Sequence, residues 1–254
     1  MKLLILLSSL ISLTISNTSS SMDYGFDHAI ILVEDIIKAS DDFSDVGFWV
    51  KTGRLHDNGL LDAHIKFSNA TKLELMSIKT KSDDKLNKNY ARFLTRGEGG
   101  AYVAINMLNV KETSDLLNSA GLEHTVSDGN SLSYITFTNN PSLEHFFLIK
   151  SGEPSIYHDY ETFNHKNGVK NINTIYVEGA GQVKKLLTLL GAKKCKGHSN
   201  IFNLTGTNFF LIPPISIGEN RFLGIGANHS KNKIFNNISD IHGIWIKSSE
   251  YQCY

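Results

Sequence analysis

The hydrophobic positions of this chain alternate between short apolar runs and amphipathic stretches. After the N-terminal segment of residues 1–21, the first apolar run is Phe26–Val33, and after Asp35 the apolar positions recur at helical spacing until Gly47. Short apolar runs then follow one another as far as Ile78. This order predicts a strand, a helix that begins after an Asp35 N-cap and ends at Gly47, and three further strands.

The same order of patterns returns twice further along the chain. Predicted helices end at Gly121 and Gly191, as the first ends at Gly47. The pattern predicts an α+β fold of βαβββ modules at about residues 26–79, 100–150 and 170–213, plus C-terminal strands. Repeated modules of this kind build one open sheet with helices covering one face.

Two polar residues interrupt the apolar strands of the first module, His28 and Glu74. A buried imidazole and a buried carboxylate each need a partner, so the pair is either half of a metal site or a hydrogen-bonded core pair. Imidazole and carboxylate ligands suit divalent transition metals, but a site needs three or four ligands. Candidates for completing it are Glu144 or His145, expected in the matching strand of the second module, and His242, expected to open the last strand. The alternative for His145 and His242 is an ordinary strand-edge histidine.

Further candidate residues lie in loops rich in glycine and asparagine. His56 could act as a general base for a proton next to a carbonyl group, or fix the turn that contains it. His165 and Asn167 could contact a substrate, or stabilise the turn before Gly168. Asp62 is either a substrate-binding residue or a solvent-facing strand residue.

The composition and the N-terminal sequence limit the classes of binding partner and predict the localisation of the protein. The chain has 254 residues, 41% of them hydrophobic, with 25 basic and 25 acidic residues and no basic cluster, which argues against nucleic acid as a partner. Residues 1–21 have the charged and apolar regions of a secretory signal peptide, and residues 22–254 then form the mature domain. No transmembrane segment is expected after cleavage.

Two further features are compatible with secretion. Cys195 and Cys253 can form one disulfide in an oxidising compartment. Acceptor sequons for N-glycosylation occur at Asn69, Asn203, Asn228 and Asn237.

Several ordered stretches resemble the motifs of the vicinal-oxygen-chelate superfamily, and more closely its glyoxalase-like branch. The stretches are Asp27–Ile30, Gly47–Val50, Gly53–Gly59, Leu73–Leu75, Arg96–Gly99 and His165–Val169. The resemblance implies a curved, largely antiparallel sheet with a concave cup for a small-molecule ligand and helices on the outer face. It also places His28 and Glu74 at positions that hold a divalent metal in metal-binding members.

Two functions are compatible with these features. The first is a secreted glyoxalase-like enzyme that performs metal-dependent isomerase- or lyase-type chemistry on a small carbonyl or hydroxyl compound. The second is a binding protein with the same cup and no catalysis, favoured by the missing third ligand. In both, the partner is a small-molecule ligand or substrate, and a homodimer is one option for assembly.

Overall fold

The computed structural model describes residues 24–129, 132–151, 163–213, 221–229, 237–249 and 253. The predicted signal peptide, residues 1–21, lies outside the described residues. Four α-helices occur in these ranges: α1 Ile36–Asp45, α2 Lys85–Leu94, α3 Val110–Ser119 and α4 Gly181–Leu189. The strands are β1 Gly25–Leu32, β2 Lys51–Leu55, β3 Leu60–Lys66, β4 Lys72–Ile78, β5 Gly99–Asn106, β6 Thr125–Asp128, β7 Leu132–Thr136, β8 Phe146–Ser151, β9 Val169–Glu178, β10 Lys193–Lys194, β11 Ile201–Leu204, β12 Thr207–Ile212, β13 Phe222–His229, β14 Ile238–Ile241 and β15 Ile244–Ser248.

The predicted starts and ends of the helices are confirmed at the residues that cause them. The side chain of Asp35 accepts hydrogen bonds from the N–H groups of Ile37 and Lys38, and so caps α1. Asn109 caps α3 in the same way through Glu112 N–H. Gly47 follows α1 with φ at +89°, a conformation that a glycine adopts without strain.

All fifteen strands of the described residues belong to one sheet. The first two modules follow the order β2-β3-β4-β1-β5-β8-β7-β6, in which β1 pairs parallel with β4 and antiparallel with β5. The third module follows the same rule around β9, which pairs parallel with β12 and antiparallel with β13. The α+β class and the curved, mostly antiparallel sheet are therefore confirmed.

Three of the helices cover the outer face of the sheet, as expected. α1, α3 and α4 bury their apolar positions against it in one continuous core that includes Phe43, Leu117 and Leu186. α2 differs, because it packs against β1 and β4 on the concave face. Its residues Tyr90 and Phe93 close one end of the cup in a second apolar cluster. The polar residues of β1 and β4 are left at the open part of the concave face.

No helix among the described residues is long and apolar enough to cross a bilayer. Cys195 and Cys253 are joined by a disulfide, with their Cα atoms 5.2 Å apart, a separation usual for this bond. The bridge attaches the C-terminal segment to the third module, 58 residues away along the chain.

Candidate functional site

The concave face of the first two modules encloses a cavity of about 1740 Å³. His28, His56 and Glu74 line one side of it, and Tyr102, Tyr134 and Phe147 are among the residues that line the other. One side is therefore polar and comes from the first module, while the opposite side is aromatic and comes from the second.

Strand alternation explains why His28 and Glu74 both face the cup. In β1, the side chains of Ala29 and Ile31 enter the outer core, so His28 points to the concave face. In the parallel pairing of β1 with β4, Ile30 lies opposite Glu74, and the His28 Nε2 atom reaches Glu74 Oε2 at 3.4 Å. The two residues singled out by the sequence are thus in contact.

Two neighbours hold this pair from either side. His28 Nδ1 lies 2.5 Å from Asp27 Oδ1, and Lys72 Nζ lies 3.0 Å from Glu74 Oε2. Burial raises the pKa of Glu74, but the charges of Lys72 and His28 outweigh that effect and hold the pKa below its ordinary value. Glu74 is therefore ionised at neutral pH.

The chain of polar contacts continues from Glu74 onto β3. In the antiparallel pair of β3 and β4, His64 lies directly opposite Glu74. His64 Nε2 is 3.2 Å from Asp62 Oδ2, and His56 Nε2 is also 3.2 Å from that oxygen. Asp62 and His64 do not line the cavity themselves. Asp62 contacts His56 and His64 faces Glu74, and both of these partners line the cavity. Burial alone would raise the pKa of Asp62. The hydrogen bonds to His64 and Arg54 lower the pKa by a larger amount, so it lies well below its usual range.

Asp62 occupies its place because of an irregularity in β2. The pairing of β2 with β3 shifts by one residue between Thr52 and Leu55, which is a β-bulge opposite Asp62. The bulge leaves the Arg54 N–H without a strand partner, and Asp62 Oδ1 accepts its hydrogen bond at 2.5 Å. Gly53 has no side chain, and a Cβ atom there would lie 1.8 Å from that same oxygen.

The structure does not bring His165 and Asn167 into this group. Both nitrogens of His165 contact backbone atoms: Trp49 N–H donates to Nδ1, and Nε2 donates to the Lys66 carbonyl, each at 2.9 Å. The Asn167 side chain hydrogen-bonds Val46 O and Val169 N. Both side chains thus attach their turn to the end of α1 and to β3, as the turn-stabilising interpretation expects.

The residues proposed as further ligands do not occupy the strand positions expected for them, although Glu144 and His145 line the cavity. Glu144 and His145 are in a turn before β8, which begins only at Phe146, so the prediction that they lie in the strand is wrong. His242 does not open β15 but lies in the turn before it, with φ at +48°. Its ring stacks on Phe43, on the outer face of the sheet.

His242 links the C-terminal hairpin to the first two modules. Its Nδ1 lies 2.6 Å from Glu98 Oε2 and its Nε2 lies 3.0 Å from Asp42 Oδ2. We expect His242→Ala to lower the free energy of unfolding by about 1–2 kcal/mol through the lost hydrogen bonds and ring packing. Denaturant titration measures this cost. Because His242 is outside the cup, the variant should bind metals and small molecules as the unsubstituted protein does, and a loss of binding would contradict its purely structural role.

The group contains two residues that the motifs did not single out, Asp27 and His64. His64 could have been found from the alternation of polar residues in β3, where Asp62, His64 and Lys66 share one face. Of the described residues, Asp62, His64 and Glu74 offer ligand atoms that all lie within 4.8 Å of one another. This is a donor set of one imidazole and two carboxylates, which suits a divalent transition metal.

The corresponding positions of the second module hold no such ligands. His28 and Tyr102 each lie eight residues before the helix of their module, and Ala104 pairs with Phe147 as Ile30 pairs with Glu74. Tyr102 and Phe147 thus occupy the places of His28 and Glu74. A metal held equally by both modules does not fit this cup, whereas one held by the first module does.

Comparisons with known proteins agree with the fold. A hypothetical protein from Staphylococcus aureus superposes with a TM-score of 0.67 at 13% identity, over 89% of this chain and 99% of that one. Homoprotocatechuate 2,3-dioxygenase from Brevibacterium fuscum, in complex with 3,4-dihydroxyphenylacetate, gives 0.51 at 11% identity. That match covers 82% of this chain and 65% of the dioxygenase. Methylmalonyl-CoA epimerase from Mycobacterium tuberculosis gives 0.43 at 21% identity, over 53% of this chain and 92% of that one.

No curated protein sequence matches the chain. The family model of the glyoxalase-like domain matches residues 26–190, which contain β1, β3, β4 and every residue of the polar group. The match covers more than half of the chain, and the βαβββ modules have the topology that the motifs predicted. The chain therefore belongs to the glyoxalase-like domain family.

Proposed function

We propose that this protein is a secreted, metal-dependent enzyme that moves a proton next to the carbonyl group of a small carbonyl or hydroxyl compound, as an isomerase or lyase does. The observation that carries the proposal is the polar side of the cup. The imidazoles of His28 and His56 line the cavity and that of His64 lies behind its wall, and each is in contact with a carboxylate.

The charge of this group favours a divalent cation. With neutral imidazoles, the ion pairs among the described residues of this group set the carboxylates of Asp27, Asp62 and Glu74 against the ammonium of Lys72, an excess of negative charge. A buried excess of negative charge is costly unless it is compensated. A divalent metal bound there would supply that compensation and would polarise a substrate carbonyl.

The residues of the chain supply the remaining functions. An imidazole that contacts a carboxylate through one ring nitrogen can take up a proton at the other; His28 contacts Asp27 through Nδ1, and its Nε2 faces the cavity 3.4 Å from Glu74 Oε2. The aromatic side of the cup, formed by Tyr102, Tyr134 and Phe147, would bind the carbon part of a substrate and exclude water from the polar side. Excluding water strengthens the interaction of charges with the reacting group.

A direct test is hydrogen exchange in the substrate. Purified protein is incubated in D₂O with a panel of 2-hydroxy aldehydes, 2-hydroxy ketones and 2-oxo acids, and NMR follows loss of the C–H signal next to the carbonyl. At least one class should exchange faster than in buffer, and exchange should stop after dialysis against a chelator and resume on adding a divalent metal. Binding of a compound without exchange, unaffected by the chelator, would instead identify a non-catalytic binding protein.

Secretion is supported by features outside the cup. The chain starts with a segment of signal-peptide character, contains the Cys195–Cys253 disulfide, and exposes the sequon residues Asn69, Asn228 and Asn237. Expression of the full chain in a secreting eukaryotic cell should place the protein in the medium, with a mass that falls on glycosidase treatment. Retention of the whole chain inside the cell would overturn this part of the proposal.

A further inference from the structure

We infer that the metal is held within a single module, by Asp62, His64 and Glu74 of β3 and β4, and that His28 with Asp27 forms a proton-transfer pair beside it. This inference rests on the proposed function and assigns separate roles to the residues of its polar group. His28, which the motifs place among the metal ligands, is thereby given a different task.

The first argument is the geometry of β3 and β4. Neighbouring antiparallel strands bring directly opposed side chains together, and His64 lies opposite Glu74, with Asp62 two residues along on the same face. The distance of 3.2 Å between Asp62 Oδ2 and His64 Nε2 is the separation of adjacent ligands around a metal with bonds of about 2.1 Å. All three ligand atoms lie within 4.8 Å of one another, so small side-chain rotations bring them onto one ion.

The second argument is what surrounds His28. Its ring makes an edge contact with Phe147, with the ring centres 5.5 Å apart, and Phe147 stands where the second module would otherwise supply a carboxylate. A metal centred on His28 would therefore meet an aromatic ring on the side of the second module. A metal displaced toward β3 would meet two carboxylates and an imidazole instead.

The third argument is that the Asp62 carboxylate is fixed in place and has a second oxygen that can bind a cation. One of its oxygens accepts the Arg54 N–H of the bulge, which leaves the other oxygen for His64, His56 and a cation. His64 Nδ1 and His56 Nε2 are buried and have no hydrogen-bond partner of normal geometry in the described part of the chain. Buried imidazole nitrogens without partners are rare in proteins and commonly mark the place of a bound ion or an ordered water.

His28 has the arrangement of an oriented base rather than of a ligand. The short contact of its Nδ1 with Asp27 fixes the ring and leaves Nε2 facing Glu74 and the cavity. A proton removed from a substrate in the cavity would be taken up by Nε2, while Asp27 stabilises the charged imidazole through Nδ1. Asp27 acts through His28 and is a positioning residue.

Cobalt titration separates the two assignments. Co²⁺ is added to the full protein and to His64→Gln, Asp62→Asn, Glu74→Gln and His28→Gln, and its visible absorption reports the affinity and the ligand geometry. His64→Gln, Asp62→Asn and Glu74→Gln should each bind at least tenfold more weakly. His28→Gln should keep its Co²⁺ affinity and spectrum but lose hydrogen exchange by about 100-fold, the usual contribution of a general base. His242→Ala serves as the control outside the cup and should match the unsubstituted protein.

The outcomes distinguish this inference from the proposed function. If Co²⁺ binding is lost in His28→Gln and kept in His64→Gln, the single-module site is wrong although the enzyme remains metal-dependent. If the unsubstituted protein binds no Co²⁺, the proposed function itself fails. Thermal unfolding without metal shows whether each variant is folded, and the rise in Tm on adding Co²⁺ gives an independent measure of binding.

Discussion

Replacing Gly53 by Ala should weaken the binding of Co²⁺ by about 100-fold, although Gly53 bears no side chain and lies on β2 rather than in the cup. The added Cβ atom would lie 1.8 Å from Asp62 Oδ1 and 2.5 Å from Asp62 Cγ, far inside van der Waals contact. The carboxylate must therefore leave its position. The effect is at the upper end of the range seen when residues that support metal ligands are changed.

The cause is steric rather than conformational. The backbone of Gly53 is not in the left-handed region that favours glycine, so alanine is compatible with the local φ. What alanine removes is the space that the Asp62 carboxylate occupies over the bulge, together with its hydrogen bond from Arg54. The contacts of Asp62 with His56 and His64 are lost at the same time.

Gly181→Ala provides a matched control for this variant. It adds the same atom at the first residue of α4, where nothing lies within 4 Å, and it should leave the Co²⁺ affinity unchanged. Gly53→Ala should also lower the Tm in the absence of metal, since the bulge loses its partner for the Arg54 N–H. A Gly53→Ala protein that binds Co²⁺ as tightly as Gly181→Ala would show that Asp62 is not a ligand.

The elements of this fold are predictable because their signals are local. Asp35 and Asn109 start their helices through hydrogen bonds to residues two or three positions away, and Gly47 ends α1 within one turn. The elements of the first module can thus be predicted from the local sequence alone. α2 has a weaker signal, because its first turn, from Lys85, is mostly polar.

The residues of the polar group are predictable only where a polar residue interrupts an apolar run within a single strand. His28 and Glu74 stand out because each interrupts an apolar run, and the structure brings them into contact. His64 was missed because its importance depends on the register of β3 against β4, which places it opposite Glu74. That register is a tertiary property, which the local sequence of neither strand determines.

A small shift in strand position accounts for the wrong prediction in the second module. Aligning Leu143-Glu144 with Leu73-Glu74 places an acidic residue in the second half of the cup. Instead β8 begins at Phe146, and the position opposite Ala104 falls to Phe147. Because side chains alternate between faces, a short offset exchanges a carboxylate for an aromatic ring. This exchange is what makes the two sides of the cup chemically different.

Lowering the pH from 7 to 5 should reduce the free energy of unfolding by about 4 kcal/mol, mainly through His145 and His165. Both side chains are 2% exposed, and burial lowers the pKa of His145 to about 3 and that of His165 to about 4. In the unfolded chain each imidazole takes up its proton near pH 6.5. Between these values the unfolded state binds more protons than the folded state, so stability falls as the pH falls.

The two histidines contribute about 2 kcal/mol each over this interval, for different physical reasons. His165 Nδ1 accepts a hydrogen bond from Trp49 N–H, and a proton on that nitrogen would place two donors against each other. Neither nitrogen of His145 has a hydrogen-bond partner of normal geometry among the described residues, and the backbone of Glu178 offsets only part of the burial that lowers its pKa. The depressed carboxyl pKa values of Asp27, Asp62 and Glu74 add to acid sensitivity only at lower pH.

Substitution at His145 isolates its share of the effect. His145→Leu removes the titrating group and breaks no side-chain hydrogen bond of normal geometry, so at pH 7 its free energy of unfolding should be close to that of the unsubstituted protein. Between pH 7 and 5 it should lose about 2 kcal/mol less. Urea titrations at both pH values give these free energies. An equal loss in both proteins would mean that His145 can be protonated in the folded state, because the cavity it lines then supplies enough water to solvate the charged ring.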